Sequence, residues 1–111
     1  MPFVKVSDIP VKHPGPGWDS RYFHSEHVTF ADTEIAAGAD VHPHQHEQVE
    51  IFYVIDGELE VRIGDEVARV RGGEVAIVPS QVTHSARALS ACRLLVIDYP
   101  LRESVGGVPT R

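Results

Sequence analysis

The hydrophobic pattern of this chain becomes strand-like at Val28. From there on, short runs rich in Val, Ile, Phe, Tyr and Thr are separated by turn signals about 8–12 residues apart, which is typical of an all-β domain. The run 58–63 alternates strictly between apolar and charged side chains, as a strand with one buried face does. Because no window carries an apolar stripe of helical period, we predict about eight strands and no long helix.

Strands in so small a domain must cover their edges, and a closed barrel or a jelly roll achieves this with the fewest residues. The almost continuous apolar run 50–55, followed by Asp56 and Gly57, indicates a buried strand that ends in a hairpin turn. We divide the chain into a proline-rich arm at 1–27, a barrel at 28–102 and a loose tail at 103–111. We expect the arm, through Trp18 and Tyr22, to pack on the barrel or on a second subunit.

The charge, the cysteine content and the length of the apolar runs exclude several classes of protein. The chain has 111 residues, with ten Lys and Arg against sixteen Asp and Glu, so its formal charge is −6. Without clustered basic residues we expect neither a nucleic-acid partner nor a membrane partner. The single Cys92 excludes an internal disulfide and a thiolate-rich metal site, and it is expected to be a small buried side chain. We expect a cytoplasmic protein, since no apolar run approaches the roughly 20 residues of a membrane span.

Seven histidines stand out in this acidic chain. His44 and His46 project to the same face of an extended segment, and Glu50 has the same parity at the start of a buried run. His84 begins a later strand, and its side chain can reach the same site from across the sheet. Three imidazoles and a carboxylate suit a divalent first-row transition metal with open positions. The alternative is that the HxH pair lies on the surface and that His84 is a structural histidine.

Two segments resemble the conserved motifs of the cupin family. The first is residues 38–57 (GADVHPHQHEQVEIFYVIDG), through Gly38, His44, His46, Glu50 and Gly57. The second is residues 73–84 (GEVAIVPSQVTH), through Gly73, Pro79 and His84. In this second region Gln81 stands where the motif has glycine and Ala88 where it has asparagine.

The resemblance implies a single-domain cupin: a jelly-roll β-barrel, or double-stranded β-helix, with a metal inside. Carried over position by position, the metal ligands are His44, His46, Glu50 and His84. The metal itself stays open among Fe, Mn, Ni, Co, Cu and Zn. The resemblance also implies a homodimer.

The parity of the strands extends the predicted site beyond the ligands. We expect the pocket to be lined by residues that share a face with Glu50 or His84, or that close the last strand: Phe52, Val54, Ala86, Ala88, Tyr99 and Arg102. His42 and Asp98 are the catalytic candidates. Some small cupins that open or isomerise unsaturated uronate sugars have an Asp and an Arg in this region, at a longer spacing. The alternative for Asp98 and Arg102 is an ion pair at the end of a strand.

These residues predict a metal-dependent enzyme that acts on a small oxygen-rich metabolite bearing a carboxylate or carbonyl group. With a 2+ ion the ligand set would carry a net charge of about +1, which favours an anionic ligand. Both dioxygenase and isomerase or lyase chemistry fit the ligands, because one fold supports many reactions. The alternative is a non-catalytic cupin that binds or senses a small ligand and holds a structural metal. His13, His24 and His27 have no assigned role.

Overall fold

The computed structural model describes residues 3–111 and shows two antiparallel β-sheets that face each other. The larger sheet has the order β1-β2-β9-β4-β7 and the smaller one the order β3-β8-β5-β6, while β10 and β11 form a separate hairpin. The strands are β1 (Trp18–His24), β2 (Thr29–Ile35), β3 (Asp40–His44), β4 (Val49–Asp56), β5 (Glu58–Ile63), β6 (Glu66–Arg71), β7 (Val75–Val78), β8 (His84–Ala88), β9 (Cys92–Tyr99), β10 (Ser104–Val105) and β11 (Val108–Pro109). This architecture confirms the predicted all-β barrel.

The core lies between the two sheets and is built from alternate residues of each strand. Val54 of β4, Leu59 of β5 and Leu94 of β9 are almost completely buried there. This is the face that strand alternation predicts, because successive side chains of a strand point to opposite sides of the sheet. Val6–Asp8 forms a short 3₁₀ helix. Within residues 3–111 no helix is long and apolar enough to cross a membrane.

The amino-terminal segment differs from the predicted arm. Trp18–His24 forms strand β1, which pairs with β2 over its full length, from Trp18 with Ile35 to His24 with Thr29. The barrel therefore begins at Trp18 rather than at Val28. The pattern WDSRYFH does alternate, but a small hydroxyl side chain, Ser20, occupies a buried position in it, and this weakens the apolar signal.

The carboxyl-terminal segment is a hairpin where a loose tail was predicted. Thr110 is buried, and its Oγ1 donates a hydrogen bond to the carbonyl oxygen of Arg102 at 2.7 Å and lies 3.1 Å from Nε2 of His24. Thr29 of β2 accepts a hydrogen bond from the backbone N–H of Arg102 at 2.9 Å. Both polar groups of the Arg102 backbone are thus fixed to the barrel, and this sets where its side chain begins.

Gln81 explains how the second motif tolerates the loss of its glycine. The residue has a φ of 62°, in the left-handed region that glycine adopts most easily. Its backbone N–H donates to the carbonyl oxygen of His46 at 2.8 Å. The turn before β8 therefore keeps the glycine-type conformation and connects to the loop that carries His46.

Candidate metal centre

Four side chains from three strands and one loop meet inside the barrel. His44 ends β3, His46 lies in the next loop, Glu50 is in β4 and His84 begins β8. One ligand atom from each lies within 4.8 Å of all the others. His84 and Glu50 are only 1% and 3% exposed, while His44 and His46 are half-buried. The structure therefore brings together the four residues predicted from the sequence.

A β-bulge places His44 in this group. Val41 pairs with Ala86 and His44 pairs with His84, and the register shifts between these two pairs. The shift breaks the simple alternation of β3, as bulges do. His42 consequently lies exposed in an outer groove and is not among the residues that line the inner cavity. This is the first difference from the predicted site, in which parity placed His42 beside the ligand pair.

The backbone fixes the tautomer of all three histidines. In each ring Nδ1 lies within hydrogen-bond distance of a carbonyl oxygen two residues away: 2.9 Å for His44, 3.1 Å for His46 and 2.9 Å for His84. A carbonyl oxygen only accepts, so Nδ1 carries the hydrogen and Nε2 carries the lone pair in the neutral ring. Metal-binding histidines are oriented in this way in proteins.

Glu50 supplies the negative charge of the group. Its Oε1 is 3.2 Å from Nε2 of His84, and its Oε2 is 3.6 Å from Nε2 of His46. Burial alone would raise the pKa of Glu50. Hydrogen bonds with His46 and His84, with the charge of Arg102, outweigh burial and hold that pKa well below its ordinary value.

The close approach of Glu50 and His84 tests whether a metal fits. Two atoms that both carry lone pairs need a cation between them at 3.2 Å. One possible cation is a proton: burial lowers the pKa of His84, but the hydrogen bond with Glu50 outweighs it and raises that pKa. The other is a metal ion, because neighbouring donors lie about 3 Å apart when metal–ligand bonds are about 2.0–2.2 Å. The donor set and this 3.2 Å approach therefore fit a divalent transition metal.

Arg102 and Asp98 lie beside the four donors. The Arg102 Nη1 donates to Glu50 Oε2 at 2.9 Å and lies 3.2 Å from His46 Nε2 and 3.7 Å from Asp98 Oδ2. Asp98 pairs with Glu50 across β9 and β4 and is almost completely buried. Burial, reinforced by the neighbouring Glu50, raises the pKa of Asp98 to about 9, against the opposing effect of Arg102. The Oδ1 atom of Asp98 has no hydrogen-bond partner.

A narrow cavity of about 50 Å³ adjoins this group. Among the predicted lining residues, Phe52, Ala86 and Arg102 do line it, and so does Asp98. The remaining three do not, and this is the second difference from the predicted site. Val54 and Ala88 are packed deeper in the core, and Tyr99 follows Asp98 in an alternating strand, so it faces outward and is 56% exposed.

Sequence reasoning missed the side of the cavity formed by β1 and β2. Its polar residues are Trp18, Ser20, Tyr22 and Thr33. Ser20 Oγ and Thr33 Oγ1 are 2.9 Å apart and satisfy each other. The sequence does contain a signal for this strand: Trp18, Ser20 and Tyr22 occupy alternate positions, which puts all three on one face of a strand.

Comparison with known proteins identifies the family. The model of the cupin domain matches residues 31–98, more than half of the chain. The chain belongs to the cupin family. Of the solved structures, this cupin is similar to KdgF from Halomonas sp., with a TM-score of 0.84 and 26% identity over 90% of this chain and 95% of that one. An RmlC-like cupin from Shewanella frigidimarina NCIMB 400 has a TM-score of 0.86 and 21% identity, over 93% and 94% of the two chains.

Two larger proteins match this cupin over part of their length. A mutant of Bacillus subtilis oxalate decarboxylase OxdC has a TM-score of 0.80 and 24% identity, over 90% of this chain and 30% of that one. The Bacillus subtilis protein named H2HPP isomerase is 36% identical over an alignment of 73 residues that covers 60% of this chain and 31% of that protein. This cupin thus spans less than a third of the length of each.

Proposed function

We propose that this cupin is a metal-dependent enzyme that isomerises or cleaves a small metabolite bearing a carboxylate or carbonyl group. His44, His46, Glu50 and His84 are the proposed ligands of one divalent transition metal. The observation that carries the proposal is the convergence of these four donors beside a cavity that His44 and Glu50 line together with the guanidinium group of Arg102. The similarity to proteins named as an isomerase and a decarboxylase supports it.

The cation of Arg102 sets the charge of the proposed substrate. Its side chain is only 12% exposed and lines the cavity. A guanidinium stays charged at all physiological pH values and donates hydrogen bonds to carboxylates. Here Nε donates to the carbonyl oxygen of Ser104 and Nη1 to Glu50, which leaves Nη2 for a substrate. When bound, a divalent metal supplies a Lewis acid that polarises an oxygen atom of the substrate. Arg102 would then hold the substrate carboxylate in place.

Asp98 is the catalytic residue that we propose. Its Oδ1 is buried without a partner, and the residue lines the cavity, so a bound substrate can form a hydrogen bond with it. His42 lines the outer groove and not the cavity. We therefore assign proton transfer to Asp98 rather than to His42. The homodimer and the cytoplasmic location stay predictions from the sequence.

The test is an assay of metal-loaded protein, purified without a histidine tag, against a panel of small oxo acids. Proton NMR follows conversion of each acid, and an oxygen electrode follows dioxygen uptake. We expect conversion of at least one acid without dioxygen uptake, and its loss in Asp98→Asn. The control is Asp65→Asn, in an exposed turn. Dioxygen uptake coupled to turnover would instead support a dioxygenase, and full metal loading without any conversion would support a binding or sensor protein.

A further inference from the structure

The cavity wall contains one polar atom that the proposed chemistry does not use, the indole nitrogen of Trp18. Across residues 3–111, three buried polar side-chain atoms lack a hydrogen-bond partner: Trp18 Nε1, Glu58 Oε1 and Asp98 Oδ1. Trp18 and Asp98 both line the cavity beside the metal centre. Most buried donors in native proteins are paired, and leaving one unpaired is costly. An unpaired donor in a cavity wall can therefore take an acceptor from a ligand.

Trp18 and Asp98 belong to opposite ends of this cavity. On β2, Asp98 is paired with Thr29, whereas Trp18 is paired with Ile35. At about 3.3 Å per residue, these two positions on β2 are about 20 Å apart along the strand. Both side chains line the same cavity. The cavity thus extends lengthwise along the inner faces of β1 and β2, from the metal centre towards the indole.

The walls between the two ends are mainly apolar. Phe52, Leu94 and Val96 line this stretch. The hydroxyl groups of Ser20 and Thr33 are also there, but they pair with each other. A ligand that extends from one end to the other therefore meets apolar surface in its middle and polar atoms at its ends.

The two ends of the cavity differ in charge. Arg102 supplies a cation at the metal end, and no Lys or Arg of the described chain lines the cavity near Trp18. An unpaired carboxylate would be costly to bury there. The indole N–H is a neutral donor without acceptor capacity. The oxygen that it binds is therefore neutral, such as that of a ketone or a hydroxyl group.

We propose that the indole N–H of Trp18 is a substrate-binding donor that recognises a neutral oxygen of the substrate. The substrate class is a short-chain oxo or hydroxy carboxylic acid whose second oxygen lies several carbons from the carboxylate. This inference rests on the proposed function, because it places the carboxylate at Arg102. The cavity of about 50 Å³ limits the chain to a few carbons, since one water molecule needs about 10–15 Å³ of such space.

The test compares acids that differ by one ketone oxygen. Calorimetric titration of the metal-loaded protein uses 4-oxopentanoate, 5-oxohexanoate and 6-oxoheptanoate against pentanoate, hexanoate and heptanoate. In the wild-type protein we expect one oxo acid to bind roughly tenfold more tightly than its parent acid, as one hydrogen bond to a buried donor allows. Trp18→Phe should abolish this preference, which is read as the ratio of the two affinities measured in the same protein. Tyr53→Phe, on the exposed outer face, is the matched control and should keep the preference.

Fluorescence provides a second measurement that does not depend on folding of the variant. Trp18 is the only tryptophan of the chain, so its emission comes from the proposed contact itself. The oxo acid should shift the emission of wild-type protein, and the parent acid should not. The proposal is overturned if no acid pair shows a preference, if Trp18→Phe retains it, or if an ordered water on Nε1 remains in a crystal structure with the oxo acid.

The failure of this inference can be distinguished from that of the proposed function. Metal uptake by wild-type protein and Trp18→Phe is measured first, and the titrations are repeated on metal-free protein, where Arg102 still offers its cation. A wild-type protein that takes up no metal contradicts the proposed function, while a ketone preference in the metal-free protein still supports the role of Trp18. Normal metal uptake without any ketone preference contradicts the role of Trp18 alone.

Discussion

Replacing Glu50 with Gln removes the one carboxylate of the candidate metal centre and keeps the shape of the side chain. In the metal-free protein the new amide can still accept a hydrogen bond from Arg102, which Glu50 accepts at 2.9 Å. Asp98 Oδ2, 3.7 Å from the same guanidinium nitrogen, supplies a second partner for the cation. The variant should therefore fold and lose about 1–3 kcal/mol of stability, less than the 3–5 kcal/mol of a bare buried charge.

The effect on metal-linked stability is larger and can be worked out. At a metal concentration of 100 times the Kd, binding stabilises the wild-type protein by about 2.7 kcal/mol. In a domain of this size, 1 kcal/mol corresponds to roughly 4 °C in Tm, so the expected rise is about 10 °C. If Glu50→Gln weakens binding a hundredfold, the same metal concentration only equals the Kd. The gain then falls to about 0.4 kcal/mol, or about 2 °C.

Thermal unfolding of both proteins, with and without Mn²⁺, Fe²⁺, Co²⁺, Ni²⁺, Cu²⁺ or Zn²⁺, measures these shifts. Glu66→Gln, on an exposed position of β6, is the matched control and should rise in Tm like the wild-type protein. An equal rise in Glu50→Gln and wild-type protein would refute the role of Glu50 as a ligand. A Glu50→Gln variant that does not fold at all would indicate a structural metal and would contradict the proposed catalytic role of the ion.

Two further predictions concern the parts of the fold that position the centre. Thr110→Val should lower stability by about 1 kcal/mol and speed amide exchange in the carboxyl-terminal hairpin, because the hydroxyl no longer bonds the backbone of Arg102; unchanged exchange would contradict this. Gly57→Ala and Gly38→Ala both place a side chain at positive φ, at a cost of about 1–2 kcal/mol each. Only at Gly57 would the new Cβ collide with the carbonyl oxygen of Ala91, so chemical denaturation should show a clearly larger loss there, and equal losses would contradict the described turn.

The four donors could be predicted because strand parity and local pairing determine where they point. Glu50 starts a buried run, and His84 begins a strand on the facing sheet. A buried carboxylate at the start of an apolar strand needs a partner, and this requirement can be read directly from the sequence. The family resemblance added the register between the two motifs.

The parts that were missed depend on events that alternation does not encode. The bulge in β3 is a shift of register within one strand, and it moves His42 outward while His44 turns inward. Arg102 is predicted as a lining residue, but its contact with Glu50 is not: it starts from a backbone that Thr110, late in the chain, holds in place. Such a contact between a hairpin and a long flexible side chain leaves no periodic signal in the sequence.

The barrel wall formed by β1 was missed for a compositional reason. Ser20 lies in an interior position, where its hydroxyl pairs with that of Thr33 across the two strands. A hydroxyl residue at an inward position looks polar in a hydrophobicity pattern, although pairing with a partner makes its burial inexpensive. For this reason the sequence pattern assigns Trp18 and Tyr22, on either side of Ser20, to an arm rather than to a strand.

Metal analysis of the protein tests directly whether His44, His46, Glu50 and His84 hold an ion. The untagged protein is purified, loaded with one divalent transition metal at a time, freed of excess ion and measured by mass spectrometry of the elements. The proposed metal centre predicts one tightly held ion per chain in wild-type protein and a strong loss of that ion in His84→Ala, with His27→Ala, an exposed histidine outside the centre, as the control. A wild-type protein that retains none of these metals, or a His84→Ala variant that retains one ion per chain, would contradict it.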